Sequence, residues 1–162
     1  MGILLDNLIE QFREVRDGSL WMGDSFADKL EALDPGDAIL QPVPGMHSAA
    51  ELLAHLAAWR EDALLKIRTG KGRLRDRDAA NWPEPESLAE LGWDTVLQRF
   101  DSSLDQLLRE LAGRDDAFLE ATYYDQDYGA EFPYAYLLNG LFHHDLYHLG
   151  QLGLVLKFLK QN

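Results

Sequence analysis

The histidines of this chain lie in two segments whose spacing suits the binding of a metal ion. His144 and His148 are four residues apart in the apolar segment LFHHDLYHLGQLGLVLKFL, residues 141–159. On a helix, residues i and i+4 lie one turn apart on the same face, so the two imidazoles can converge on one point. His55 lies among leucines in a second helical segment. Three imidazoles from two helices predict a site for one divalent metal ion.

The alternative to a metal site is a set of hydrogen-bonded core histidines. His144 and His148 share one helical stripe with Leu137 and Leu141, and this stripe is expected to face the core. A single histidine on an apolar face is more typical of a packed core residue. A pair at this spacing, with His55 as a third inward histidine on another helix, favours a metal site.

The ligand types leave the identity of the metal open, with zinc or nickel expected. Three imidazoles with an open fourth position are the composition of a catalytic zinc site. Nickel, iron(II), cobalt and copper also accept imidazole ligands. The last segment lacks the glutamate of the HExxH motif, which argues against a metalloprotease of that class.

Polar side chains close to the histidines could support the site. Gln151 lies one turn beyond His148 and could orient its imidazole. Tyr147 and Asp145 are adjacent to the histidines in sequence, and each is a candidate either for the site or for a packing or surface position. Gln151 and Tyr147 are therefore the two candidates for catalytic support.

Three other residues are expected to be structural. His143 points about 100° away from its neighbouring histidine on a helix, which indicates a packing or surface position. His47 precedes a capping serine, where a residue packs on Leu52 as a hydrophobic staple. Glu51 lies one turn from His55 and could accept a hydrogen bond from its imidazole, but its place in a capping box favours capping.

The composition excludes several classes of protein. The chain has 162 residues, of which 46% are apolar and 27% charged, as is typical of a soluble globular domain. It has no cysteine, which excludes disulfides, iron–sulfur clusters and a cysteine nucleophile. The net charge of −13 argues against nucleic acid and anionic membranes as partners. No apolar run is long enough to span a membrane and the N-terminus lacks signal-peptide features, so we expect a cytoplasmic location.

Apolar residues at helical spacing predict the first helix over residues 3–33. Gly18 and Gly23 should weaken this helix without ending it, and Pro35 should end it. A capping box at residues 48–51 predicts the start of a second helix, which runs to about Thr69 with Gly70 as its stop. Residues 70–86 form a charged connection, whose alternating basic residues favour a solvated loop over a site for an anionic ligand.

The capping signature repeats at residues 87–90 and predicts the start of a third helix, which Gly113 should end. Residues 114–132 are aromatic and acidic, and we expect an ordered loop packed over one end of the core, with at most a short extended piece. The last helix runs from Pro133 nearly to the terminus. Four long amphipathic segments predict an all-α four-helix bundle with long connecting loops, in a single domain over residues 1–162.

Two of these segments carry a resemblance to a known family. HHDLYHLGQLGLVLK, preceded by AYLLNGLF, resembles the last-helix signature of the DinB-like superfamily, and SAAELLAHLAAWRE resembles its second helix. The order of elements is similar over essentially the whole chain, including the loop with residues 81–83, Asn-Trp-Pro. The resemblance implies a four-helix bundle, a divalent metal on His55, His144 and His148, and often a homodimer. One departure is His47, where members of the family frequently have an aromatic residue, usually tryptophan.

The resemblance also implies a class of reaction. Characterised relatives include bacillithiol transferases and the mycothiol-dependent maleylpyruvate isomerase. We therefore expect a metal-dependent enzyme for a small-molecule substrate, a thiol S-transferase or a related thiol-assisted reaction, in which the metal lowers the pKa of a low-molecular-weight thiol. A chain without cysteine fits a nucleophile supplied by a ligand. The alternatives are a metal-dependent hydrolase and a non-catalytic, stress-associated module in which the metal joins two helices.

Overall fold

The computed structural model describes residues 2–161. Within that range the chain forms six α-helices, two short 3₁₀ turns and one β-hairpin. The helices are α1 (Ile3–Asp17), α2 (Phe26–Glu31), α3 (Ala49–Thr69), α4 (Pro85–Leu91), α5 (Trp93–Leu111) and α6 (Tyr134–Leu159). The 3₁₀ turns span Pro35–Asp37 and Asp116–Glu120, and the strands are β1 (Thr122–Asp125) and β2 (Ala130–Pro133).

The four long helices pack as a bundle, which confirms the predicted fold class. Helix α3 packs against both α5 and α6, and α1 packs against α5 and α6. The core between them is built from leucine and phenylalanine, and Phe12, Leu53, Leu104 and Leu138 are fully buried in it. No helix in the described part of the chain is long and apolar enough to cross a membrane.

The first predicted helix is wrong in its length. Helix α1 ends at Asp17, and Gly18 takes an extended conformation there. A Cβ built at Gly18 would lie 2.6 Å from the Cα of Glu14, so only glycine lets the chain turn this closely past the helix end. Helix α2 then starts afresh from a capping box between Ser25 and Asp28. Gly18 and the cap at Ser25 therefore divide into two helices the segment whose apolar spacing predicted one.

The third predicted helix also differs from the structure at its start. Its first turn begins at Pro85, which supplies a favourable fixed φ, and Ser87 lies inside helix α4 rather than capping it. Gly92, at a φ of 84°, separates α4 from α5. The predicted stop is confirmed, because α5 ends at Leu111, two residues before Gly113.

The second and last helices carry the histidines and follow the sequence prediction closely. Ser48 and Glu51 form the predicted capping box at the start of α3, and Gly70 ends this helix in the left-handed conformation at a φ of 74°. Helix α6 begins directly after Pro133. The two helices are joined at one end, because the Tyr134 hydroxyl donates a 2.7 Å hydrogen bond to the Lys66 carbonyl.

A two-stranded hairpin forms within the segment expected to be an ordered loop. Strands β1 and β2 pair antiparallel, with Tyr123 opposite Phe132. The Tyr124 amide donates to the Gly70 carbonyl at 2.8 Å, which fixes the hairpin to the end of α3. The aromatic residues of this segment therefore lie on a short two-stranded sheet that covers one end of the bundle.

Candidate metal centre

Three histidine side chains from two helices meet inside the bundle. The Nε2 atom of His144 lies 2.8 Å from Nε2 of His55 and 2.9 Å from Nε2 of His148. His55 and His148 are each only 4% exposed, and His144 is half-buried. The histidine cluster (His55, His144 and His148) is a group that could hold a metal ion.

The hydrogen bonds of the cluster fix which nitrogens face its centre. Nδ1 of His55 donates to the Asn81 carbonyl at 2.9 Å, and Nδ1 of His148 donates to Oε1 of Gln151 at 2.7 Å. Because both partners are acceptors, each neutral imidazole keeps its proton on Nδ1 and presents an Nε2 lone pair. A neutral His144 carries one proton, so its Nε2 can donate a hydrogen bond to at most one of these two lone pairs. A divalent cation satisfies all three nitrogens, so the donor set fits a metal.

Burial holds these imidazoles in the neutral form that metal binding requires. Desolvation, aided by the neighbouring imidazoles, lowers the pKa of His144 to about 3 and that of His148 to about 4. Desolvation also lowers the pKa of His55, although the hydrogen bond to Asn81 opposes it. At neutral pH the three imidazoles are therefore uncharged and offer lone pairs, so a cation can bind them without first removing a proton from an imidazolium.

A tryptophan in the loop before α4 supports the cluster from the side. The Trp82 indole stacks on His55 with ring centroids 3.8 Å apart, and on His47 at the same distance. Both contacts are nearly parallel, so the two imidazoles must lie on opposite faces of the indole. His47 is thus held by this ring stack and by the capping carboxylate of Glu51, which agrees with the expected structural role.

Glu51 caps α3 and does not orient His55. Its carboxylate accepts from the Ser48 amide at 2.7 Å and lies 3.0 Å from Nδ1 of His47. The residue that orients His55 is Asn81, which is 1% exposed and also accepts from the Trp59 indole at 2.7 Å. Sequence reasoning missed this role, and its only signal was the Asn-Trp-Pro tripeptide in a charged loop.

Asp145 lies outside the metal centre even though it follows His144. Its carboxylate is buried against the Arg60 guanidinium at 2.9 Å, and both side chains are 1% exposed. The Arg60 guanidinium in turn lies 4.4 Å from the centre of the Phe100 ring. Burial raises the pKa of Asp145, while Arg60 opposes that rise. Asp145 thus joins α6 to α3 and is not placed to act as a base at the cluster.

The histidine cluster opens onto a cavity of about 900 Å³. Its walls are mainly apolar, with Trp59, Leu137 and Leu141 between the two helices. His143 and Tyr147 are exposed and line the mouth, as a surface position for His143 predicts. A cavity of this size and lining is typical of a small-molecule site. One side of the cluster therefore faces a space that a ligand can enter.

Sequence comparison places this bundle among known proteins. The profile of the DinB superfamily matches residues 21–152. The chain belongs to the DinB superfamily. Its fold is similar to that of YfiT from Bacillus subtilis, which is described as "a probable metal-dependent hydrolase with an unusual four-helix bundle topology". The two share 11% identity with a TM-score of 0.61, over 97% of this chain and 86% of YfiT. No protein of curated function matches the sequence.

Within this DinB-superfamily bundle, the structure brings together four of the residues selected from sequence. The three histidines converge, and Gln151 contacts His148 as expected of an orienting residue. Tyr147 is 63% exposed, and its ring meets that of His148 edge-on at 4.9 Å. It therefore stands beside the cluster at the cavity mouth rather than inside the bundle.

Proposed function

We propose that this chain is a metal-dependent enzyme that joins a low-molecular-weight thiol to an electrophile, with zinc or nickel on His55, His144 and His148. The observation that carries the proposal is the convergence of three Nε2 atoms at one end of an open, mainly apolar cavity. A purely structural site would have its fourth ligand position filled by protein. Among the described residues, no fourth histidine or carboxylate joins the group.

A divalent cation at the cluster supplies the charge that lowers the pKa of a thiol beside it. The chain contributes rigid orientation of the ligands, because Asn81 fixes one imidazole and Gln151 another. The mainly apolar walls suit an apolar electrophile held beside the cluster. The chain has no cysteine, so the attacking sulfur comes from the bound thiol.

The reaction balances without a redox partner. The sulfur forms a bond to the electrophilic carbon, the leaving group departs with the electron pair of its old bond, and the thiol proton passes to solvent. The chain then has only to bind both reactants and to hold their reacting atoms together. Tyr147, at the mouth with its ring 4.9 Å from that of His148, is a candidate to donate a hydrogen bond to the leaving group.

Hydrolysis is the second candidate function. Asp76 lines the cavity, and its charge weakly opposes the burial that lowers the pKa of His55, so a carboxylate is close to the cluster. Such a group could accept a proton from water. The fold neighbour YfiT is itself described as a probable metal-dependent hydrolase.

Metal analysis and a paired activity assay test the proposal. We expect about one zinc or nickel ion per chain, which His148→Ala removes and His143→Ala retains. The loaded protein should then accelerate conjugation of bacillithiol or mycothiol to monobromobimane, with glutathione as a poorer thiol. Metal-dependent cleavage of ester or amide substrates without thiol dependence would favour the hydrolase instead. Full metal occupancy in His148→Ala would overturn the ligand assignment.

A further inference from the structure

The cavity has a second polar end, remote from the histidines. Lys66 follows His55 by eleven residues on α3, which is about three turns or roughly 16 Å, and it falls on the same face of the helix. Both residues line the same cavity. The Trp59 ring lies between the two ends, 5.8 Å from the Lys66 ammonium and 6.5 Å from the His144 ring, and Leu137 and Leu141 also line this cavity.

The far end of the cavity (Lys66, Asp125 and Tyr123) is built from two buried side chains, Lys66 and Tyr123, and from the half-buried Asp125. Lys66 is 5% exposed, and its Nζ lies 3.1 Å from Asp125 and 3.3 Å from Asp62. The same ammonium stands 5.2 Å from the centre of the Tyr123 ring. The Asp125 side chain also accepts from two backbone amides of its own turn, so this arrangement is rigid.

The Tyr123 hydroxyl is the unusual group here. The side chain is 3% exposed and lines the cavity, and its hydroxyl makes no hydrogen bond to another residue within 2–161 but reaches the cavity space rather than being sealed in the core. A hydroxyl that reaches a cavity without a protein partner can donate its hydrogen bond to whatever occupies that cavity. Desolvation and the charge of Asp125 raise the pKa of Tyr123, so the hydroxyl keeps its proton. It is therefore a donor that a ligand can satisfy.

We propose that the far end of the cavity recognises an uncharged hydrogen-bond acceptor, such as a hydroxyl or amide oxygen, at the tail of an extended substrate. The reactive end of that substrate lies at the histidines, so this inference rests on the proposed function.

The charges of the far end select against an anionic tail. Lys66 contributes one positive charge, and Asp62 and Asp125 contribute two negative ones, so the group is net negative. Asp76 adds a further carboxylate to the cavity lining. A substrate carboxylate would be repelled at this end, whereas an uncharged oxygen can accept from Tyr123. The tail that reaches this end, whether on the thiol or on the electrophile, is therefore expected to be uncharged.

Three linear thiols of equal chain length test the tail preference: mercaptoundecanol, mercaptoundecanoic acid and undecanethiol. Binding to the zinc-loaded protein is measured by calorimetry with each probe kept within its aqueous solubility. We expect the alcohol to bind more tightly than the alkane by about five- to tenfold, as one hydrogen bond in a buried site provides. The carboxylate should bind more weakly than the alcohol.

Two variants assign this preference to the far end. Tyr123→Phe should abolish the advantage of the alcohol over the alkane without weakening the alkane itself. Tyr124→Phe deletes the same hydroxyl from the next residue of the strand and should change nothing. Asp125→Asn removes one negative charge and should improve the carboxylate probe relative to the alcohol.

The outcomes separate this inference from the proposed function. Binding that depends on zinc but not on the tail would overturn the inference and leave the metal proposal standing. A tail preference that Tyr123→Phe removes, but that persists after zinc removal, would support the far end while contradicting thiol binding at the metal. No binding of any probe would overturn both.

Discussion

Removing one partner of the buried Arg60–Asp145 pair is expected to destabilise the bundle far more than replacing both. Each side chain is 1% exposed, and a single 2.9 Å hydrogen bond joins them. Among the described residues, Nε of Arg60 and Oδ1 of Asp145 have no partner, so the pair is incompletely satisfied. Its net contribution relative to an apolar pair is therefore small.

The single substitutions leave an uncompensated charge in the core. We expect Asp145→Ala and Arg60→Met each to lower the free energy of unfolding by about 3–5 kcal/mol. Arg60→Met with Asp145→Leu should restore it to within about 1 kcal/mol of the wild type, because no charge is then buried. The pair also links α3 to α6 beside the histidines, so each single variant should bind zinc more weakly than the double variant.

Urea denaturation of the chelator-treated protein at neutral pH measures these differences, provided that the denaturant slopes agree. Glu10→Ala is the control, because it breaks an exposed pair with Arg13 and should cost at most about 1 kcal/mol. Single losses below about 1 kcal/mol, or a double variant whose loss equals the sum of the singles, would refute the reasoning.

Three further predictions follow from the histidine cluster and the helix ends. Burial lowers the pKa of two cluster imidazoles to about 3 and about 4, so the unfolded chain binds more protons below pH ~6.5. The metal-free protein should therefore lose stability as pH falls from 6.5 toward 4, by at most about 1.4 kcal/mol per pH unit for each imidazole, and a flat urea series over this range would contradict it. Gln151→Leu removes the acceptor that orients His148 and should weaken zinc binding about 10–100-fold in a chelator competition, whereas unchanged affinity would exclude the orienting role. Gly18→Ala places a methyl group against Glu14 and should cost about 1–3 kcal/mol in thermal or urea unfolding. Gly150→Ala, which meets nothing within 4 Å, should instead stabilise by up to about 1 kcal/mol, and equal effects of the two would refute the steric argument.

The features that sequence predicted well depend on local periodicity. The pair His144 and His148 lies at the i and i+4 spacing of one helix face, and a capping box marked the start of the helix that carries His55. These signals need only a few neighbouring residues to be read. The fold class and the convergence of the three imidazoles followed from them.

The features that sequence did not reveal depend on contacts between distant segments. Asn81 and Trp82 belong to a charged loop, and only the fold brings them against His55. Helix α1 ends where the chain passes too close to Glu14 for a side chain at residue 18, and the spacing of apolar residues carries no information on that contact. The far end of the cavity likewise joins α3 to a hairpin that begins more than fifty residues after Lys66.

The central claim, that three imidazoles hold a metal with a position open to a thiol, is tested most directly by X-ray absorption of the zinc-loaded protein. Before thiol addition, the spectrum should show three imidazole nitrogens at about 2.0–2.1 Å. Adding mercaptoundecanol should introduce one sulfur scatterer at about 2.3 Å while the three nitrogens remain. A first shell of carboxylate oxygens, or a nitrogen shell that admits no sulfur at saturating thiol, would contradict the claim.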